Sequence, residues 1–334
     1  MKEGSVRPPG KARLAPYANK RQSIFCVLPL PLAMPPHSDL EGSWQRGSPQ
    51  IISYPIRESC FPMPALAVVN QKGGVGKTTT VVNLGAYLGA LGSRVLLIDC
   101  DPQANTTSAL GERPRLRGVY DVLHNRAQTH DVIVSTSTRG VDLLPSTPEL
   151  AGSEIELFDE PNSRAALKDA IASETGVYNY VLLDCPPSLG LLTVNALVAS
   201  DSVLIPVQCE YLALEGLARL MHTLERVRSQ WNPRLRIFGL LMTMYDGRTV
   251  LSQQVTNDVR RHYPSLTFRT VIPRNVRLSE APSFGQSILE YDPLSKGAEA
   301  YQALAMEVAV RAGDAAAKQQ GIDDSRSAPI ANLT

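Results

Sequence analysis

Apolar and polar positions follow two rhythms along most of this chain. Short, nearly unbroken apolar runs recur at Ala65–Asn70, Arg94–Asp99, Val141–Leu144, Tyr178–Asp184, Ser202–Val207, Ile237–Thr243 and Phe268–Ile272. Between them lie longer stretches with apolar residues three and four apart, notably Thr78–Leu91, Arg164–Ser173, Leu214–Gln230, Leu251–Arg261 and Gly297–Ala312. The first kind predicts strands buried on both faces; the second predicts helices. Their alternation predicts an α/β fold, a mostly parallel twisted sheet with helices on both faces. No Pro/Gly linker and no internal repeat divides the pattern, so residues 63–312 are expected to form one domain.

The two ends lose the rhythm. Residues 1–62 hold 10 of the 25 prolines, with doublets at Pro8-Pro9 and Pro35-Pro36. An apolar stretch from Ile24 to Met34 follows Arg21, but Pro29 and Pro31 interrupt it, and it begins too late for a secretory signal. A disordered, Pro-rich extension is expected there. Met63, immediately before the first strand, is the expected natural start, which would leave residues 1–62 upstream of the protein. Residues 313–334 read as a frayed polar tail.

Composition narrows the classes. The 334 residues carry 33 Lys/Arg and 32 Asp/Glu, and 43% are apolar. This excludes a wholly disordered chain, a collagen-like repeat and a uniformly basic nucleic-acid coat. No apolar run approaches the length of about 18 residues that a membrane-spanning helix needs. Cysteines 26, 60, 100, 185 and 209 make no C-x-x-C pair and no zinc spacing with the histidines. Free thiols in a reducing compartment are expected.

Specific chemistry begins after the first strand. Asn70-Gln71-Lys72-Gly73-Gly74-Val75-Gly76-Lys77-Thr78-Thr79-Thr80 leads straight into a helix. Glycines let backbone N–H groups curl inward around phosphate oxygens, and the helix N-terminus adds positive potential there. In such a loop Lys77 reaches the β/γ-phosphates and the Thr78 hydroxyl sits on Mg²⁺. The loop departs from the standard pattern at Gln71, where a glycine is usual, and adds Lys72 at its entrance. Two ammonium groups so close repel unless a phosphate-rich ligand neutralises both.

Three carboxylates are predicted at strand ends: Asp99 with Asp101 just beyond it, and Asp184. In open α/β sheets that edge is where ligands bind. Asp184 best fits the carboxylate that holds the metal, directly or through water, with Thr78 and Asp99 as further metal candidates. Asp101 could also be no more than an Asp-Pro turn.

Four motifs, in order, resemble the ParA/MinD class of ATPases with a deviant Walker A loop. They are the Lys72–Thr78 loop, Val95–Asn105, Asp184–Gly190, and Val271–Ser283, the last being close to the chromosomal ParA/Soj signature. The resemblance runs from about Pro64 to Val310 and implies a P-loop NTPase-type fold and an ATP-hydrolysing partition protein using ATP/ADP and Mg²⁺. It implies that Lys72, Gly73, Gly74, Val75, Gly76, Lys77 and Thr78 hold the phosphates and that Thr79 touches the α-phosphate. Pro273 and Asn275 would border adenine. Asp101 would orient or deprotonate the attacking water, with Lys72 and Lys77 as the catalytic lysines and Asp99 supporting the loop. Lys72 would act across an ATP-dependent homodimer, and a ParB/Spo0J-type partner would stimulate slow hydrolysis. A cytoplasmic, nucleoid-associated location follows from the same resemblance.

The near-zero net charge hides a division. Residues 99–210 have 16 Asp/Glu against seven Lys/Arg, whereas residues 211–280 have 11 Arg, no Lys and five Asp/Glu. An arginine-only basic region favours phosphate recognition. With no helix-turn-helix, zinc-finger or RNP pattern, non-specific double-stranded DNA is the expected target. Arg248 and Arg277 match positions that the family uses for DNA. The main alternative is a MinD-like membrane-surface ATPase. It requires a basic amphipathic C-terminal helix, and residues 313–334 offer only Lys318 and Arg326 as cations.

Overall fold

A computed structural model describes residues 65–112, 117–174, 176–211 and 213–326, with side chains as far as Gly313. The Pro-rich extension 1–62 and the candidate start Met63 lie outside the described residues. Eight strands form one sheet: β1 (Ala65–Val68), β2 (Val95–Asp99), β3 (Val134–Ser135), β4 (Val141–Leu144), β5 (Tyr180–Asp184), β6 (Ser202–Gln208), β7 (Arg236–Tyr245) and β8 (Thr267–Pro273). Their order is β3-β4-β2-β5-β1-β6-β7-β8. Every pairing is parallel except β3 with β4 at the edge.

The apolar runs form strands because both sheet faces are covered. All five residues of β2 are buried, and successive side chains serve opposite cores. Leu96 and Ile98 join one cluster, while Val95 and Leu97 join the other. The first cluster is closed by helices α2 (Leu191–Ala199), α3 (Ala213–Gln230) and α4 (Val250–His262). The second is closed by α1 (Lys77–Ala90) and α5 (Lys296–Arg326). Helix α3 shows why the helical spacing was legible. Leu217, Leu220, Leu224 and Val227 face inward, and Glu215, Arg219 and Arg226 face water.

The structure differs from the sequence reading at several places. The two-residue strand β3 is too short to carry a detectable period. The helix expected over Arg164–Ser173 shrinks to Ala166–Ala170, flanked by turns. Strand β5 starts at Tyr180, because Asn179 turns its amide to the Arg94 carbonyl. Helix α5 continues past Gly313, where a frayed tail was expected, to Arg326. The run Asp314-Ala-Ala-Ala-Lys-Gln-Gln, between Gly313 and Gly321, is rich in strong helix formers, which offsets the two glycines.

Candidate active site

Strand order creates the site. With β5 between β1 and β2, Asp184 is in register with Val68 on one side and Asp99 on the other. The loop after β1 and the two carboxylates therefore meet at the carboxyl edge of the sheet. Gly74 (φ 71°) and Gly76 (φ 89°) take left-handed backbone that a side chain would disfavour, so the loop turns back on itself before α1. Gly76 caps α1, and no side chain bonds to the helix start. No acidic residue occupies the first turn, so its N–H groups and positive end stay available to an anion.

Lys77 opens α1 and is buried. Burial lowers its ammonium from the usual range, while the charges of Asp184 and Asp101 act in the opposite sense. Asp184 Oδ2 accepts the Thr78 hydroxyl at 2.7 Å and the Thr106 hydroxyl at 2.7 Å. Its Oδ1 is buried without a hydrogen-bond partner. Burial pushes Asp184 up to about 6, against the pull of those two hydroxyls and Lys77.

Asp99 is engaged differently. Its Oδ1 accepts the Asp101 amide at 3.2 Å, and its Oδ2 accepts the Thr107 amide at 2.8 Å and hydroxyl at 2.7 Å. Burial raises it to about 7, and the neighbouring Asp184 charge adds to the effect. Both of its oxygens thus organise the following loop rather than facing an open position. Asp101 borders a cavity of about 440 Å³ together with Gly73, Gly74, Gly76, Lys77, Thr78 and Thr79. That volume suits a small-molecule ligand. A neighbouring cavity of about 310 Å³ shares Gly76, Thr79 and Met244 with it and reaches Pro273 and Asn275. Val75 is buried beneath the loop, its carbonyl accepting the Thr243 hydroxyl at 2.9 Å.

The remaining expected residues lie apart from the cavity. Lys72 is half-exposed and ion-paired with Glu210, whose other oxygen accepts from Gln208. One loop lysine therefore points in and the other out. Arg248 is 89% exposed and bonds Asp246 through two nitrogens, at 2.9 and 2.7 Å. Arg277 is half-exposed and pairs with Glu280 at 2.9 Å and Asp292 at 3.4 Å.

Several residues escaped sequence reasoning. Thr106 and Thr107 hold the carboxylates and Ser146 holds the Asp101 carbonyl, yet isolated hydroxyls have no sequence signature. Ala104 (φ 52°) and Met244 (φ 51°) are non-glycine residues in left-handed backbone beside the site, a strain that concentrates at functional positions.

These features fit a magnesium nucleotide. The orphaned Asp184 Oδ1 and the Thr78 hydroxyl offer oxygen ligands, and Lys77 with an uncapped helix start offers phosphate contacts. Among the described residues no group of three or more His, Cys, Asp or Glu could form a complete metal cage.

Comparison with known proteins agrees. The family model described as an AAA domain matches residues 63–237. The chromosome partitioning protein ParA of Caulobacter vibrioides is 52% identical over 78% of this chain and 99% of its own length. The sporulation initiation inhibitor protein Soj of Bacillus subtilis is 54% identical over 73% of this chain and 97% of its own. The chain belongs to the ParA/Soj family of partitioning ATPases.

Solved structures carry the ParA/Soj fold with nucleotide. A Mycobacterium smegmatis protein titled cobyrinic acid a,c-diamide synthase, with bound ADP and magnesium, is 40% identical at a TM-score of 0.64. The match covers 73% of this chain and 92% of that one. The septum site-determining protein MinD of Pyrococcus horikoshii, complexed with Mg-ADP, is 28% identical at 0.60, over 73% of this chain and 95% of that one. Like its relatives, this ParA/Soj chain is an ATPase. Among its described residues no helix is long and apolar enough to cross a membrane.

Proposed function

We propose that this ATPase is a chromosome or plasmid partition switch. ATP would join two subunits into a dimer that binds DNA without sequence preference, and a ParB/Spo0J-type partner would stimulate hydrolysis and release it. The observation that carries this reading is the opposite placement of the two loop lysines. Lys77 is buried at its own cavity, whereas Lys72 lies outside it, half-exposed and held only by Glu210. An exposed ion pair of this kind is weak, so Lys72 can be given up to the phosphates of a facing subunit.

Within each subunit the roles follow from placement. Gly73, Gly74, Val75 and Gly76 present backbone N–H groups to the phosphates, Lys77 neutralises them, and Thr79 borders both cavities. Pro273 and Asn275 line the side cavity that would take the base. Thr78 and Asp184 would hold Mg²⁺, which when bound neutralises charge on the phosphates. Asp101 orients water and accepts its proton, and Asp99 fixes the loop that carries Asp101. Phosphoryl transfer demands placement and charge neutralisation more than strong bases, so slow hydrolysis suffices for a switch. Arg248 and Arg277 would meet DNA phosphates, and dimerisation would double those contacts. Such a protein would sit on the nucleoid in the cytoplasm.

The test is binding of the full chain to a random-sequence duplex with ATP/Mg²⁺ and with ADP/Mg²⁺, at two salt concentrations. Binding only with ATP, weakened by salt and prolonged in Asp101→Ala, is expected. Absence of DNA binding in every state would refute the DNA reading. Lipid-vesicle binding in its place would favour the MinD-like alternative.

A further inference from the structure

The backbone of Asp101 is held in a closed ring of hydrogen bonds joining three chain segments. Its N–H donates to Asp99 Oδ1 at 3.2 Å, and its carbonyl accepts the Ser146 hydroxyl at 2.7 Å. The Ser146 amide donates to Thr107 Oγ1 at 3.1 Å, and that hydroxyl donates to Asp99 Oδ2 at 2.7 Å. Asp99, Thr107 and Ser146 are fully buried, so water cannot replace a lost bond there. Ser146 arrives from beyond β4, and Thr107 lies in the short helix Asn105–Ala109. Neither borders the nucleotide cavity, whereas Asp101 does.

Such a ring has a purpose in this turn. Ala104, three residues beyond Asp101, adopts left-handed backbone at φ 52°. Conformations of that kind persist only where the surroundings over-determine them. An aspartate side chain is short, so its carboxylate goes where its backbone goes. Placement errors of about 1 Å can cost about a hundredfold in rate.

We propose that Ser146, with Thr107 as its link to Asp99, is a positioning residue for ATP hydrolysis that acts by fixing the Asp101 backbone. This rests on the reading of Asp101 as the group that orients water. Ser146 and Thr107 tie the segment after β4 to the catalytic loop, and neither lines the cavity beside Asp101.

The test compares the full-length wild type with Ser146→Ala, Thr107→Val, Thr107→Ser, Asp101→Ala and the Ser146→Ala/Asp101→Ala double variant. ATP hydrolysis, ATP affinity by direct titration, and amide hydrogen exchange over residues 99–105 without nucleotide are measured for each. Ser146→Ala and Thr107→Val should lower kcat at least about fivefold, the equivalent of one net hydrogen bond, with ATP affinity within about twofold of wild type. Both should speed exchange across residues 99–105. Thr107→Ser, which keeps the hydroxyl, should restore both properties. In the Asp101→Ala background, Ser146→Ala should cost nothing further, because it acts through the missing carboxylate. A wild-type rate in Ser146→Ala, with Asp101→Ala inactive, would overturn the positioning role alone. An equal loss in both backgrounds would also overturn it. Full hydrolysis by Asp101→Ala would instead remove the reading of Asp101, and the proposal with it.

Discussion

Asp99 and Asp184 are register partners at the ends of adjacent parallel strands, and both are buried. Two carboxylates so placed resist ionisation. Asp184 is held up at about 6, against an ordinary value of about 3.9. The fold therefore binds this proton more tightly than the unfolded chain does, and its contribution to stability falls as pH rises from about 4 to about 6. Asp184→Asn removes that liability. In magnesium- and nucleotide-free buffer the variant should melt higher than wild type at pH 8, with the gap closing as pH falls from about 6 to about 4. A gap independent of pH across this range would contradict the assignment. With Mg²⁺ and ATP the same variant should lose its advantage, because the proposed metal ligand is gone.

The two loop lysines should separate two functions. Lys77→Ala should lower ATP affinity by more than about tenfold, since the proposed charge-assisted contact to phosphate at a buried site would be lost. Lys72→Ala should keep ATP affinity within about threefold, because its side chain lies outside the cavity beside Glu210. It should nevertheless remain monomeric with ATP. Sedimentation with a titrated ATP analogue reads both properties, and a normal ATP dimer of Lys72→Ala would remove the cross-subunit role.

Arg248 is already paired when DNA is absent. Asp246 takes it through two bonds, and the pairing holds the Asp246 carboxyl down at about 2. On the proposed DNA face, a phosphate would have to compete with that carboxylate. Asp246→Asn should therefore tighten non-specific DNA binding modestly, by up to about fivefold, as expected for an exposed pair. Arg248→Glu and Arg277→Glu should weaken it and flatten its salt dependence while leaving the ATP dimer intact. Unchanged DNA affinity in both arginine variants would move the DNA face elsewhere.

At Gly89, helix α1 meets the backbone of the turn before β4 too closely for a side chain. A methyl group on Gly89 would stand 2.3 Å from the Arg139 carbonyl oxygen, which is backbone and cannot swing away. Gly89→Ala should cost about 1–3 kcal/mol in denaturant unfolding, the range for overpacking. Gly73→Ala should cost far less, because a methyl group there meets nothing within 4 Å. Equal stabilities would show that α1 can shift away from the β4 side.

The α/β alternation, the phosphate loop and the strand-end carboxylates were legible because each is written in neighbouring residues. Apolar runs, glycine conformations and a lysine followed by threonine act over a few positions of chain, so spacing alone reveals them. The meeting of Asp99 with Asp184 was not legible, because 85 residues separate them and only the order β2-β5-β1 brings them into register. Thr106, Thr107 and Ser146 were invisible for the same reason. A hydroxyl acquires its role from the acceptor, carboxylate or backbone carbonyl, that packing places beside it. The outward turn of Lys72 also belongs to packing, since Glu210 lies far along the chain at the end of β6. Local sequence thus specified which chemical groups exist and on which elements they ride. Their mutual distances, burial and charge state arose only when the sheet ordered its strands, because those quantities depend on neighbours that are remote in the chain.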